Sequence, residues 1–116
     1  MIVKIIPCLQ DNYSYLIIDE KNNDACVIDP SEAQPIISFI ENNKLNLKYI
    51  LNTHHHYDHI GGNIELKKKY NSTVVGFEGD KERIPEINTL VKDNQIWKAN
   101  NFKAKIIHIP GHTTGH

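Results

Sequence analysis

The stretch Thr53-His54-His55-His56-Tyr57-Asp58-His59-Ile60-Gly61-Gly62 constrains this chain more than any other. Tyr49-Ile50-Leu51 runs into it as a short apolar strand. Gly61-Gly62-Asn63 leads out of it into a helical pattern that reaches Tyr70, with Leu66 and Tyr70 on one face. Polar residues placed there sit where a strand end meets a helix N-terminus, a place where scaffolds present chemistry. Four of the seven histidines fall within positions 54–59. The run is internal and is interrupted by Tyr57 and Asp58, so it is not an expression tag.

The rest of the pattern is mixed. Alternation and β-branched content mark short strands over residues 2–6, 15–18, 25–28 and 73–75, with a polar hairpin turn at 20–24. Ser31 and Gln34 give a capping-box start to a helix, Pro35 fits its first turn, and Ala33, Ile36, Ile37 and Ile40 form its apolar stripe, ending near Asn42-Asn43. The charged segment 78–86 reads as loop. Residues 87–91, 95–97 and 105–109 read as further short strands. Strand–helix–strand–helix–strand order predicts an α/β (α+β) fold, a mixed sheet with helices on at least one face.

The 116 residues allow one domain and not two. Thirteen basic against fourteen acidic side chains give a net charge of −1, which leaves no electrostatic footprint for nucleic acid or for an anionic membrane. Lys67-Lys68-Lys69 reads as a solvated helix face. No apolar run approaches the roughly 20 residues of a spanning helix, and the N-terminus does not read as a signal peptide. Cys8 and Cys26 match no paired metal or redox spacing and read as buried thiols of a reducing compartment, which makes a cytoplasmic protein the expectation.

A neutral imidazole is a good ligand for zinc and similar divalent ions. His54 and His56, two apart on an extended segment, point to one side and can grip one ion together, while Asp58 and His59 follow at a turn and can reach a second. His112, in the Pro110-Gly111-His112 turn after the last strand, is the next candidate, and Gly111 allows a sharp backbone turn there. His54, His56 and His112 together make a three-imidazole site with an open position for water, whose pKa such an ion lowers to about 7. His55 points the other way and reads as structural or exposed. His108 reads as a packed strand residue, and His116 as no more than an outer support.

At these residues the sequence resembles a known family. His54-His55-His56-Tyr57-Asp58-His59 fits the His-x-His-x-Asp-His signature of the metallo-β-lactamase superfamily. Ile6-Pro7-Cys8-Leu9-Gln10-Asp11-Asn12-Tyr13-Ser14-Tyr15-Leu16, Val27-Ile28-Asp29-Pro30 and Pro110-Gly111-His112-Thr113-Thr114-Gly115-His116 narrow the resemblance to glyoxalase II, the hydroxyacylglutathione hydrolases. The resemblance implies two metal ions, usually zinc, with iron or manganese as alternatives. It places His54, His56 and His112 on the first ion and Asp58 and His59 on the second. Asp58 is counted also as the catalytic carboxylate. Asp29 looks like the family's supporting aspartate, which steadies a ligand histidine. The implied reaction is hydrolysis of the thioester of an acylated glutathione to glutathione and a 2-hydroxy acid such as lactate, with metal-bound hydroxide as nucleophile.

In the family a bridging aspartate, one more histidine and the glutathione-binding residues lie beyond the segment that ends at His116. The chain therefore reads as an incomplete metallo-β-lactamase-like domain over 1–116, the first αβ half of an αββα sandwich. An uncovered apolar sheet face is expected, inviting self-association or a complementing C-terminal chain, together with lowered stability. The competing expectation is a catalytically inactive remnant that binds at most one metal ion.

Overall fold

In the computed structural model, residues 1–8, 12–53, 62–77, 88–92, 94–99 and 102–105 are described. Among them eight strands and two helices follow in the order β1 (Ile2–Cys8), β2 (Asn12–Asp19), β3 (Asp24–Ile28), α1 (Ala33–Asn42), β4 (Asn46–Leu51), α2 (Asn63–Tyr70), β5 (Thr73–Phe77), β6 (Thr89–Val91), β7 (Ile96–Ala99) and β8 (Phe102–Lys105). The first six strands form one sheet in chain order. β1, β2 and β3 pair antiparallel, and β3, β4, β5 and β6 pair parallel. β7 and β8 form a separate antiparallel ribbon. The mixed sheet expected from the sequence is present.

Each element follows from local chemistry. Ala33, Ile36 and Ile40 repeat at helical spacing and are buried along α1. The helix begins one residue later than the Ser31 capping box predicts. Glu32 is the N-cap, with extended backbone and no side-chain capping hydrogen bond. α2 carries Glu65 in its first turn and Lys67, Lys68 and Lys69 in its last, the arrangement the helix dipole favours. Asn71 closes it in the left-handed conformation, its N–H donating to the Lys67 carbonyl at 2.7 Å. At the β2–β3 hairpin, Asp19 accepts from Lys21 N–H and from the Asn22 amide, and Asn23 takes the positive φ of the turn.

Both helices pack on one face of the sheet. Leu16, Ala25, Val27, Ile50 and Val74 from β2 to β5 meet Ile36, Ile40 and Leu66 in one cluster, and all eight are fully buried. The opposite face holds a second, smaller core of Cys26, Val75, Val91, Trp97 and Phe102. Tyr49 of β4 meets the rings of Trp97 and Phe102 edge-on, at centroid distances of 5.2 and 5.9 Å. The β7–β8 ribbon thus covers part of the face that the sequence leads one to expect bare. Ile17 of β2 packs against this core, while Val3, Ile5, Tyr13 and Tyr15 of β1 and β2 remain exposed, with Ile5 directly opposite Tyr15.

The last strand differs from its sequence expectation. β8 runs over Phe102–Lys105, whereas the sequence suggested residues 105–109, and 106–109 lie outside the described residues. Phe102 is the apolar anchor that draws the ribbon onto Tyr49, and its polar neighbours Asn100, Asn101, Lys103 and Lys105 leave no local apolar pattern around it. The charged segment 78–86, expected as loop, also lies outside. No helix among the described residues is long and apolar enough to cross a membrane. Cys8 and Cys26 are both buried and unpaired, as expected.

Candidate metal centre

β3, β4 and β5 run parallel, so their carboxyl ends open on one edge of the sheet, the edge where ligands bind in open α/β sheets. Asp29 follows β3 there, and Asn52 and Thr53 follow β4. The Asp29 N–H donates to the Leu51 carbonyl at 2.8 Å, extending the β3–β4 ladder by one bond. Asp29 itself has φ 53°, a left-handed turn that aspartate tolerates better than most residues. From this turn its carboxylate receives Thr53 twice. Thr53 N–H donates to Oδ1 at 2.8 Å and the Thr53 hydroxyl to Oδ2 at 2.6 Å.

A relay from β1 and β2 supports the turn. The Ser14 hydroxyl donates to the Asp29 carbonyl at 2.8 Å, and Cys8 Sγ lies 3.3 Å from Ser14 Oγ. A hydroxyl has one proton to give, so the Cys8 thiol is the donor in the second contact. All three residues are buried.

The other end of the histidine segment is fastened to the same place. Gly62 N–H donates to the Pro30 carbonyl at 2.6 Å. A Cβ on Gly62 would stand 2.9 Å from the Pro30 carbonyl oxygen and 3.0 Å from Ala33 N and the Glu32 carbonyl carbon, all of them backbone atoms. Only glycine permits this approach. One residue further on, Asn63 and Asn52 exchange amide hydrogen bonds. Asn52 Nδ2 donates to Asn63 Oδ1 at 3.2 Å and Asn63 Nδ2 to Asn52 Oδ1 at 2.5 Å, with both side chains buried. Thr53 and Gly62, on either side of residues 54–61, are therefore each pinned to the segment 29–33, and their neighbours Asn52 and Asn63 to each other.

The candidate ligands His54, His56, Asp58, His59 and His112 lie outside the described residues, as do His55, His108 and His116. Among the described residues no group of three His, Cys, Asp or Glu side chains is placed to hold a metal ion. What the structure supplies is the frame that carries the first four. Asp29, expected by resemblance to steady a ligand histidine, holds the residue directly before His54. Sequence reading passed over Ser14, Asn52 and Asn63. The one available signal was a pair of asparagines flanking the histidines at both ends. The donor set itself, imidazoles with one carboxylate, suits a divalent ion of the zinc, iron or manganese type.

A model of the metallo-beta-lactamase superfamily matches residues 10–87. The chain belongs to this superfamily, and membership implies divalent-metal binding. Over its whole length it is 66% identical to a hydroxyacylglutathione hydrolase of Pelagibacter ubique, and over 111 residues it is 41% identical to one of Methylococcus capsulatus. It spans about half the length of these curated relatives, 48% and 43% respectively. Among solved structures it is similar to ETHE1 from Myxococcus xanthus, with a TM-score of 0.82 and 26% identity over 99% of this chain and 51% of that one. It superposes on the BLEG-1 B3 metallo-beta-lactamase with a TM-score of 0.85 over 98% of this chain and 64% of that one; at 22% identity that likeness speaks to fold alone.

Proposed function

We propose that the chain carries the metal-binding portion of a thioester hydrolase of the hydroxyacylglutathione hydrolase type. The observation that carries this reading is the Asp29–Thr53 grip, which fixes the residue directly before His54 at the open edge of the parallel strands. His54, His56 and His112 would hold one divalent ion, and Asp58 and His59 would contribute to a second. Zinc is the expected metal, with iron or manganese as alternatives. When bound, the ion supplies a Lewis acid that makes water available as a nucleophile near neutral pH. Asp58 would also serve as the catalytic carboxylate. In the overall step a water oxygen bonds to the thioester carbonyl carbon, the C–S bond breaks, and the thiol leaves with one of the water's protons. The products are a 2-hydroxy acid and glutathione.

Two buried, unpaired thiols favour a reducing compartment, and the cytoplasm is the proposed location. The exposed Val3, Ile5, Tyr13 and Tyr15 strip is the proposed seat of a complementing C-terminal segment, since the relatives are about twice as long. Sedimentation of the chain alone, as monomer or as dimer, separates that occupant from a second copy. Turnover decides between the hydrolase reading and the competing one, an inactive remnant that binds at most one ion.

Hydrolysis of S-lactoylglutathione by the purified chain, with His54→Ala and His112→Ala beside it, tests the reaction. Turnover lost in both variants supports the hydrolase. Equal background rates in all three favour the remnant.

A further inference from the structure

We propose that Asn52 and Asn63 act as positioning residues, an amide clasp that sets the span of the metal-binding segment before any ion arrives; this rests on the metal reading above. Their two carboxamides exchange both hydrogen bonds at 3.2 and 2.5 Å, with the residues 8% and 0% exposed. Each belongs to a rigid element. Asn52 extends β4, its N–H donating to the Val75 carbonyl of β5 at 3.0 Å. Asn63 is the first residue of α2, which is seated by the fully buried Leu66. The ten residues 53–62 lie between them, and they include His54, His56, Asp58 and His59.

Two buried amides cost desolvation that a well-packed apolar pair would not, so their advantage over such a pair is directional. A reciprocal amide pair accepts one relative placement of its two backbones and rejects neighbouring ones. The Asp29–Thr53 and Gly62–Pro30 bonds each fix one end of the segment to residues 29–33, whereas the amide pair joins the two ends to each other. Closing a loop of this length carries an entropic cost. With the clasp made, the fold meets that cost in the metal-free protein, and ion binding does not have to. Breaking the clasp therefore weakens metal binding although no ligand has changed.

The test is Co2+ titration of the metal-free chain at a temperature where circular dichroism shows each variant fully folded. Asn63→Ala is the first variant, and isosteric Asn52→Asp is the second should the first fail to fold. Ser72→Ala is the control. It removes a buried hydrogen bond, Ser72 Oγ to the Leu47 carbonyl at 2.7 Å, between the turn that follows α2 and the start of β4. Amide hydrogen exchange at Thr53 and Gly62 is measured in parallel. Expected for the clasp variants are a dissociation constant raised about tenfold or more and exchange about tenfold faster at both amides, with Ser72→Ala at wild-type values. Unchanged affinity and exchange in the clasp variants overturn the proposal, as does an equal loss in Ser72→Ala. If the wild-type chain takes up no Co2+, the metal reading fails, and exchange alone decides the clasp: faster at both amides only in the clasp variants upholds it, and slow exchange overturns it.

Discussion

Asp29 accepts both the amide and the hydroxyl of Thr53, at 2.8 and 2.6 Å, across 24 positions of sequence. The residue that introduces the histidine cluster is thereby held by the turn that follows β3. Asp29→Ala removes both acceptors and is expected to lower stability by about 1–3 kcal/mol. Thr53→Val removes only the hydroxyl bond and is expected to cost about 1 kcal/mol. Urea unfolding of the two variants beside wild type checks the order. Equal small losses would mean that the carboxylate does not anchor the segment.

Gly62→Ala tests the second anchor. Gly62 is the N-cap of α2, where alanine is ordinarily a poorer residue than glycine by a modest amount, and its φ of −92° is unstrained. Here the added methyl meets the Pro30 carbonyl oxygen at 2.9 Å, with no flexible side chain to yield. A loss of about 1–3 kcal/mol is expected from overpacking, read as a lowered thermal midpoint. A neutral or stabilising result would contradict the close approach of α2 to the segment before α1.

The cysteines give a pH dependence. Burial pushes the Cys26 thiol up from 9.0 to about 12. The folded state then favours the protonated thiol. Its contribution to stability is complete below pH 9 and is lost as pH rises toward 12, at about 1.4 kcal/mol per pH unit. Cys26→Ala should flatten that alkaline slope. In the native wild-type chain neither buried thiol should react with a disulfide reagent at pH 8, and both should react in denaturant. Prompt native labelling would contradict their burial.

Trp97→Ala probes the partial second layer. Truncating a buried tryptophan typically costs about 3–5 kcal/mol, and here it also removes the edge contact with Tyr49. Detachment of the β7–β8 ribbon should expose Cys26, which lies in the same small core. Faster thiol labelling in this variant is the expected result. Unchanged labelling would separate the ribbon from the sheet's stability.

The fold was legible wherever one period dominated. The stripe of Ala33, Ile36 and Ile40 located α1 from spacing alone, and the alternation in β1 and β3 placed those strands nearly to the residue. The sequence expectation for β2 falls three residues short at its start and one at its end. Asn12-Tyr13-Ser14 looks polar, yet Ser14 faces inward because its hydroxyl has the Asp29 carbonyl to bond. β4 was read short for a similar reason: exposed Asn46 and Lys48 flank buried Leu47. The β7–β8 ribbon depends on long-range contact with Tyr49, which no local window contains. At the site, the residue types of the cluster announced metal chemistry. The amide pair of Asn52 and Asn63 shows in the sequence only as two asparagines flanking the cluster, because a tertiary contact between them leaves no periodic trace.

Metal content of the purified chain, measured by elemental analysis without added metal, tests the central claim most directly. About one divalent ion per chain, lost in both His54→Ala and His112→Ala, is the expected result, because three imidazoles from two distant segments complete the first site. A wild-type chain with no bound ion, or with the same ion content as the two variants, would contradict it.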